Sequence, residues 1–457
     1  MSRLTRPATA SRTSLGRVRR FTAAGAALLA LSLTATACGD DADSASGDGS
    51  GQDLSGQTVS VAGVWTGTEL DNFQQVLDAF TEETGAKTTF TSTGDNLATF
   101  VGSKIQGGSA PDVVLVAQLG VLQEFARSGW LLPLDETVDA TATANFAGVW
   151  RDYGTVDGTF YGLYFKAAHK STIWYSPEAF AAAGVEPATS YEELIENANT
   201  LADSGLPAFA VAGADGWTLT DWFENIYLSQ AGPEMYDKLA THEIPWTDPS
   251  VVTALTTLGE LFSSEELLAG GADGALATDF PTSVGKVFGP EPEAAMVYEG
   301  DFVGGLASED YGRTLGEDAL FFPFPPVDGG AAPVVSGGDA AVILKDGGNN
   351  EAAQRLVEFL ATPEAAAIWA GAGGFLSPNS ALDLSAYGDE ITQETAASLI
   401  EAGDTVRFDM SDQAPAAFGG TSGAGEWKIL QDFLRDPSDP QATAEALETE
   451  AAKAFGD

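Results

Sequence analysis

Cysteine and histidine are almost absent: one Cys and two His in 457 residues. A single cysteine excludes a disulfide within the chain. Clustered Cys/His zinc ligation is excluded too, because Cys38, His169 and His242 lie far apart in the sequence. A Ser-His-Asp apparatus would have to use one of two imidazoles. No metal or cofactor is expected. Positive charge is also scarce, with 21 Lys and Arg against 66 Asp and Glu and a formal net charge of −45. Such a chain repels nucleic acid and anionic lipid, so neither is expected as a partner. The acidity does not itself name a cationic ligand, since high negative charge serves solubility in its own right. A phosphate loop is lacking. Its nearest approach, around Gly285-Lys286, has Phe280 where the first Gly is needed and Val287 where Ser or Thr is needed.

What is present begins with an address. Arg3, Arg6, Arg12, Arg17, Arg19 and Arg20 precede an acid-free apolar run over residues 21–37, and the first acid is Asp40. That order reads as a secretory signal over residues 1–37. The run is short of the about 20 apolar residues a spanning helix needs. Arg19-Arg20 before Phe21 leaves open twin-arginine as well as general export. The run ends at Ala35-Thr36-Ala37-Cys38, which resembles a bacterial lipobox with Ala35 in place of the usual Leu. Cys38 is therefore the expected lipidation site, with an ordinary cleavage near Ala37 as the alternative. Residues 38–56, rich in Gly, Ser and Asp, are expected to form a flexible tether. The length calls for two lobes rather than one average domain.

Beyond the tether, strand and helix patterns alternate. Residues 58–64 read as a strand. A helix with Leu70, Phe73, Leu77 and Phe80 on one face follows and is closed by Gly85. Residues 87–91 are a second strand, residues 97–105 a second helix, and residues 112–116 a buried third strand. The alternation predicts a parallel sheet flanked by helices, with ligand bound beyond the carboxyl ends of its strands. Those ends carry Trp65-Thr66, Asp95 and Gln118. Further strand-like runs cover residues 160–164, 171–175, 209–212, 294–298 and 340–344, and Ser190 to Glu193 spell a capping box.

The turn Val61-Ala62-Gly63-Val64-Trp65-Thr66-Gly67, the run Gly107-Gly108-Ser109-Ala110-Pro111-Asp112, and Phe359-Leu360-Ala361-Thr362-Pro363-Glu364 together resemble the carbohydrate-binding proteins of bacterial ABC importers, the maltose-binding-protein-like extracellular solute-binding family. Residues 216–224 (GWTLTDWFE), His242-Glu243-Ile244-Pro245 and Tyr298-Glu299-Gly300-Asp301-Phe302 look most like its α-glucoside binders. The resemblance runs from about Gln57 to the C-terminus. It implies a periplasmic-binding-protein-like α/β fold: one lobe over residues 57–168 plus 334–374, another over 174–330 plus 380–457, with crossovers at 169–171 and 327–333. It further implies a monomer that closes on a sugar and docks on a membrane permease.

A sugar presents C–H faces to aromatic rings and hydroxyl edges to carboxylates, amides and lysine. The candidate ligand-binding residues are Trp65, Thr66, Asp95, Gln118, Lys166, His169, Trp217, Asp221, Trp222, Glu299, Asp301, Phe302, Gly338, Asp339 and Asp412. Trp222 is the expected stacking partner, whose loss should weaken binding and leave the fold intact. Trp130, Trp150, Trp174, Trp369 and Trp427 are expected in the core or at the rim. Two rival functions remain open here. A secreted glycosidase needs two flanking carboxylates, which 66 acids supply by chance, but the eight βα units of a barrel are missing. A binder of polyamine or another cation would also use acids and aromatics.

Overall fold

The computed structural model describes residues 53–402 and 406–456. The leader, Cys38 and the tether up to residue 52 lie outside the described residues, as does the side chain of Asp95. Among the described residues, no helix is long and apolar enough to cross a membrane.

Strand Thr58–Gly63 is flanked in parallel by Lys87–Ser92 and Val113–Val116, with Val61 opposite both Phe90 and Val113. Parallel neighbours need a crossover, and helix Gly67–Thr84 supplies the first. Its Phe73, Val76, Leu77 and Phe80 recur at three- and four-residue spacing and are buried. Gly85, at φ 76°, closes it in the left-handed conformation that glycine adopts without strain. The long strand Val335–Leu344 then runs antiparallel against Val113–Val116 and Gly162–His169, with all of its residues buried. The seven-stranded sheet is thus mixed, not wholly parallel as the alternation predicts. The alternation ends after the third strand, and the later partners return from far along the chain.

The second lobe is built on a three-stranded antiparallel sheet of Leu320–Pro323, Thr172–Tyr175 and Met296–Glu299. Against it lies helix Trp217–Ala231, buried from Thr218 to Ser229. The helix therefore places Thr220, Asp221, Glu224 and Asn225 inside the protein, and each needs an internal partner. Residues 209–212 form no strand; Phe209 makes only isolated bridges to Leu268 and Met296.

Two crossovers lie side by side between the lobes. Lys170 N–H donates to the Val335 carbonyl at 2.8 Å, and Val335 N–H to Ser171 Oγ at 2.8 Å. A third joins them where Asp409 N–H donates to the Ser336 carbonyl at 2.7 Å. Two expected boundaries move. Leu54 is 1% exposed, and its N–H bonds the Thr84 carbonyl, so the fold begins before residue 57. Leu382, Tyr387, Ala396 and Leu399 pack into the core of the first lobe, so the chain enters the second lobe near Met410 instead of residue 380.

Candidate functional site

Between the lobes lies a cleft of about 480 Å³. Its first wall grows from the carboxyl ends of the parallel strands, where such sheets bind ligands. Trp65 follows Thr58–Gly63. Thr66 stands at the N-cap of the next helix, where its exposed hydroxyl makes no capping bond. Gln118 holds the equivalent place before helix Leu119–Arg127 and also caps nothing with its side chain. Trp65 is braced edge-on by Trp369 at 4.8 Å and by Phe73 at 5.0 Å. The opposite wall is a second aromatic group: Trp217, Phe280 and Phe302, with ring centroids 5.3–6.2 Å apart. All three are half-buried. Trp217 opens its helix directly after Gly216, whose φ of 86° turns the chain sharply.

The floor belongs to the strand Gly162–His169 and its continuation. Side chains alternate along a strand, so Lys166, Ala168 and Lys170 share the face that lines the cleft. Lys166 Nζ sits 3.0 Å from Glu69 Oε1 and 3.4 Å from Asp339 Oδ2, and 5.6 and 5.8 Å from the Trp65 and Trp369 ring centres. Lys166 and Asp339 are direct cross-strand partners. The register slips immediately afterwards, where Ala340 faces Tyr164 and Phe165 is the extra residue of a bulge. Lys170 Nζ contacts Asp409, with Asp221 Oδ1 at 3.5 Å, Asp412 Oδ2 at 3.6 Å and the Trp217 ring at 5.4 Å.

Electrostatics follow from burial. For both lysines burial works against the charge, but the surrounding carboxylates outweigh it and hold the ammonium groups above the ordinary range. Burial, then the neighbouring Asp409, push Asp412 up to about 8. Burial pushes Glu299 up to about 8 and Asp301 up to about 6. Asp409 is the exception: burial opposes its charge, but the Lys170 ammonium together with hydrogen bonds from Asp221, Lys170 and the Asp412 N–H outweighs burial and holds the carboxyl below its ordinary value. Asp221, Glu224 and Asp409 set carboxyl oxygens within 4.8 Å of one another, a spacing that suits a cation. Lys170 supplies one to Asp221 and Asp409, and the Tyr236 hydroxyl donates to Glu224. Glu224 also accepts N–H bonds from Met410 at 2.7 Å and Ser411 at 2.9 Å, fixing the turn that carries Asp412.

Trp65, Thr66, Gln118, Lys166, Trp217, Phe302, Gly338, Asp339 and Asp412 thus all line the cleft. Asp221 and Glu299 do not reach it; they are 0% and 1% exposed beneath the floor. Trp222 corrects the expectation most plainly. It is 2% exposed and packs on Phe209, Tyr298 and Phe324 in the second core. His169, of opposite parity to the two lysines, serves the crossover: its N–H donates to Asp301 Oδ1 at 2.7 Å, and its Nδ1 accepts from Ser171 N–H at 3.3 Å. Burial pushes its imidazole down to about 4, so it is neutral. Asp301 is held in the same contact and is not a cleft residue. Asp95 belongs to the short turn Gly94–Asn96, and its side chain lies outside the described residues.

Sequence reasoning missed Lys170, Glu69, Asn72, Phe280, Glu309 and Asp310, all on the cleft wall. Period two from Lys166 would have found Lys170; the others carry no local signal. Trp369 and Trp427, assigned to core or rim, face the cleft while almost wholly buried. At the outer edge the lobes touch. Asn72 Nδ2 donates to Glu309 Oε1 at 3.2 Å and to the Gly373 carbonyl at 3.4 Å, and Thr68 Oγ1 to Asp310 Oδ1 at 3.3 Å.

Two lobes closed over an aromatic cleft define a solute receptor. The chain belongs to the bacterial extracellular solute-binding protein family, whose model matches residues 65–367. It is 33% identical over 399 residues to the osmoprotective compounds-binding protein GgtB of Synechocystis sp., covering 86% of this chain and 92% of that protein. It is 33% identical over 409 residues to the alpha-glucosides-binding periplasmic protein AglE of Rhizobium meliloti, covering 86% and 87%. Among solved structures, the solute receptor AcbH, with its preference for β-D-galactopyranose, aligns with a TM-score of 0.77 at 21% identity over 87% of this chain and 99% of that one. RafE in complex with raffinose aligns at 0.72 and 16% identity over 87% and 99%. These likenesses show the fold. The family is extracytoplasmic, and its members are receptors rather than enzymes.

Proposed function

We propose that this protein captures a short α-glucoside or related oligosaccharide outside the cytoplasm and delivers it, unaltered, to an ABC importer. The observation that carries the reading is the pair of facing aromatic walls, Trp65 with Trp369 and Trp217 with Phe280 and Phe302, over a floor of lysine and carboxylate groups. Flat rings suit the C–H faces of a pyranose, and charged donors and acceptors suit its hydroxyls. The volume lies in the range of small-molecule sites. The names of GgtB and AglE support this ligand class. Lipidation at Cys38 after removal of residues 1–37 would hold the receptor, as a monomer, beside its permease. Delivery is docking of the closed form.

A thermal-shift and calorimetric panel of maltose, trehalose, sucrose and spermidine tests the reading. A ligand bound by the folded state alone raises the melting temperature by mass action. At least one neutral glucoside is expected to bind without turnover. Release of glucose over many cycles, or binding of spermidine alone, would replace this reading with the glycosidase or the cation receptor.

A further inference from the structure

The charged groups of the cleft are arranged unevenly. Its two cations are already spoken for. An ammonium has three N–H donors. Lys170 donates to Asp409 and to Asp221 Oδ1 at 3.5 Å, with Asp412 Oδ2 a further neighbour at 3.6 Å, which leaves one donor and a charge already met by Asp409. Lys166 meets Glu69 and Asp339, which leaves one donor, enough for a hydroxyl, and no uncompensated charge. No arginine lines the cleft among the described residues. The opposite holds for two acids at the outer edge. Glu309 accepts only from the neutral Asn72 amide, and Asp310 only from the Thr68 hydroxyl; among the described residues neither is in an ion pair.

Building on the saccharide reading, we propose that the cleft is a charge filter: it admits a neutral or amine-bearing saccharide and rejects the same saccharide carrying a carboxylate or phosphate. An anionic group entering between the lobes loses its water and finds every cation neutralised in advance, with acids as its nearest unpaired neighbours. A protonated amine finds Glu309 and Asp310 waiting. The filter works by subtraction. The lysines remain hydrogen-bond donors, but their charge is cancelled by an acid behind the cleft (Asp409, for Lys170) or at its edge (Glu69, for Lys166).

The test uses calorimetric titration of the protein with maltose, trehalose, their 6-phosphates, and 6-amino-6-deoxytrehalose, repeated with Glu69→Gln. Glu69 is partly exposed at the first turn of its helix, so its amide replacement preserves the fold. The phosphates are expected to bind at least about thirtyfold more weakly than their neutral parents, and the amine within about threefold, from like-charge repulsion at short range. Glu69→Gln uncovers Lys166 and should narrow the phosphate gap about fivefold by the same Coulomb argument. A phosphate bound within about threefold of its parent would overturn the filter and leave the saccharide reading standing. So would rejection of the amine as strong as that of the phosphate, or a gap unmoved by Glu69→Gln, since size rather than charge would then govern. Silence of every probe, neutral ones included, sinks the saccharide reading and the filter with it.

Discussion

Two tryptophans five positions apart on one helix do opposite jobs. Trp217 opens the helix, half-buried, with Lys170 over its ring at 5.4 Å and the cleft before it. Trp222 points inward and is among the largest fully buried side chains. Trp217→Ala is expected to weaken saccharide binding about tenfold, the worth of one aromatic contact of about 1.5 kcal/mol, with little change in the ligand-free melting temperature. Trp222→Ala is expected to destabilise the fold by about 3–5 kcal/mol, as large-to-small core substitutions do. Urea unfolding and titration of both variants check the pair. A stable Trp222→Ala protein that has lost binding would reverse the assignment.

At the scale of elements, the sequence was informative where periodicity is strong. The helix face of Phe73, Leu77 and Phe80 and the strand ends carrying Trp65 and Gln118 follow from spacing alone. So does the cap at Ser190, whose Oγ accepts from Glu193 N–H. What was not legible depends on elements distant in sequence. Asp221 reads equally well as a helix cap or a ligand contact, and only the arrival of Lys170 and Asp409 from two crossovers makes it a buried partner. The edge formed by helix Val303–Glu309 and Gly373-Gly374 was likewise hidden. There a methyl on Gly305 would stand 2.9 Å from the Gly374 Cα. Alanine is otherwise favoured over glycine in a helix by about 1 kcal/mol. Gly305→Ala should therefore leave ligand-free stability equal or higher while it props the lobes apart and weakens ligand binding. Calorimetry and small-angle scattering of the liganded variant read both effects; wild-type affinity and wild-type compaction would show that the lobes close elsewhere.

The whole molecule carries its buried acids as a pH dependence of stability. Glu299 and Asp412, at about 8, and Asp301, at about 6, hold protons in the fold that the unfolded chain releases near pH 4. The stability they contribute is full below about pH 4 and is lost as pH rises towards about 8. Asp409 acts in the opposite sense, losing its contribution only in acid below the ordinary carboxylate range. The melting temperature should therefore be higher at about pH 5.5 than at about pH 8.5. Self-repulsion of a chain with net charge −45 acts in the same direction, so Glu299→Gln, which cannot ionise, isolates the buried contribution by flattening the slope. A melting temperature that climbs steadily to pH 8.5 would contradict these protonation states. The central claim is about place: a sugar held between two aromatic walls that belong to different lobes. A crystal structure of the protein with its tightest-binding glucoside tests it most directly. The account predicts a pyranose ring against Trp217 and Phe302, with the opposite edge of the ligand near Trp65, Lys166 and Asp339. Sugar density on one lobe alone, or outside the cleft with the walls unchanged, would contradict it.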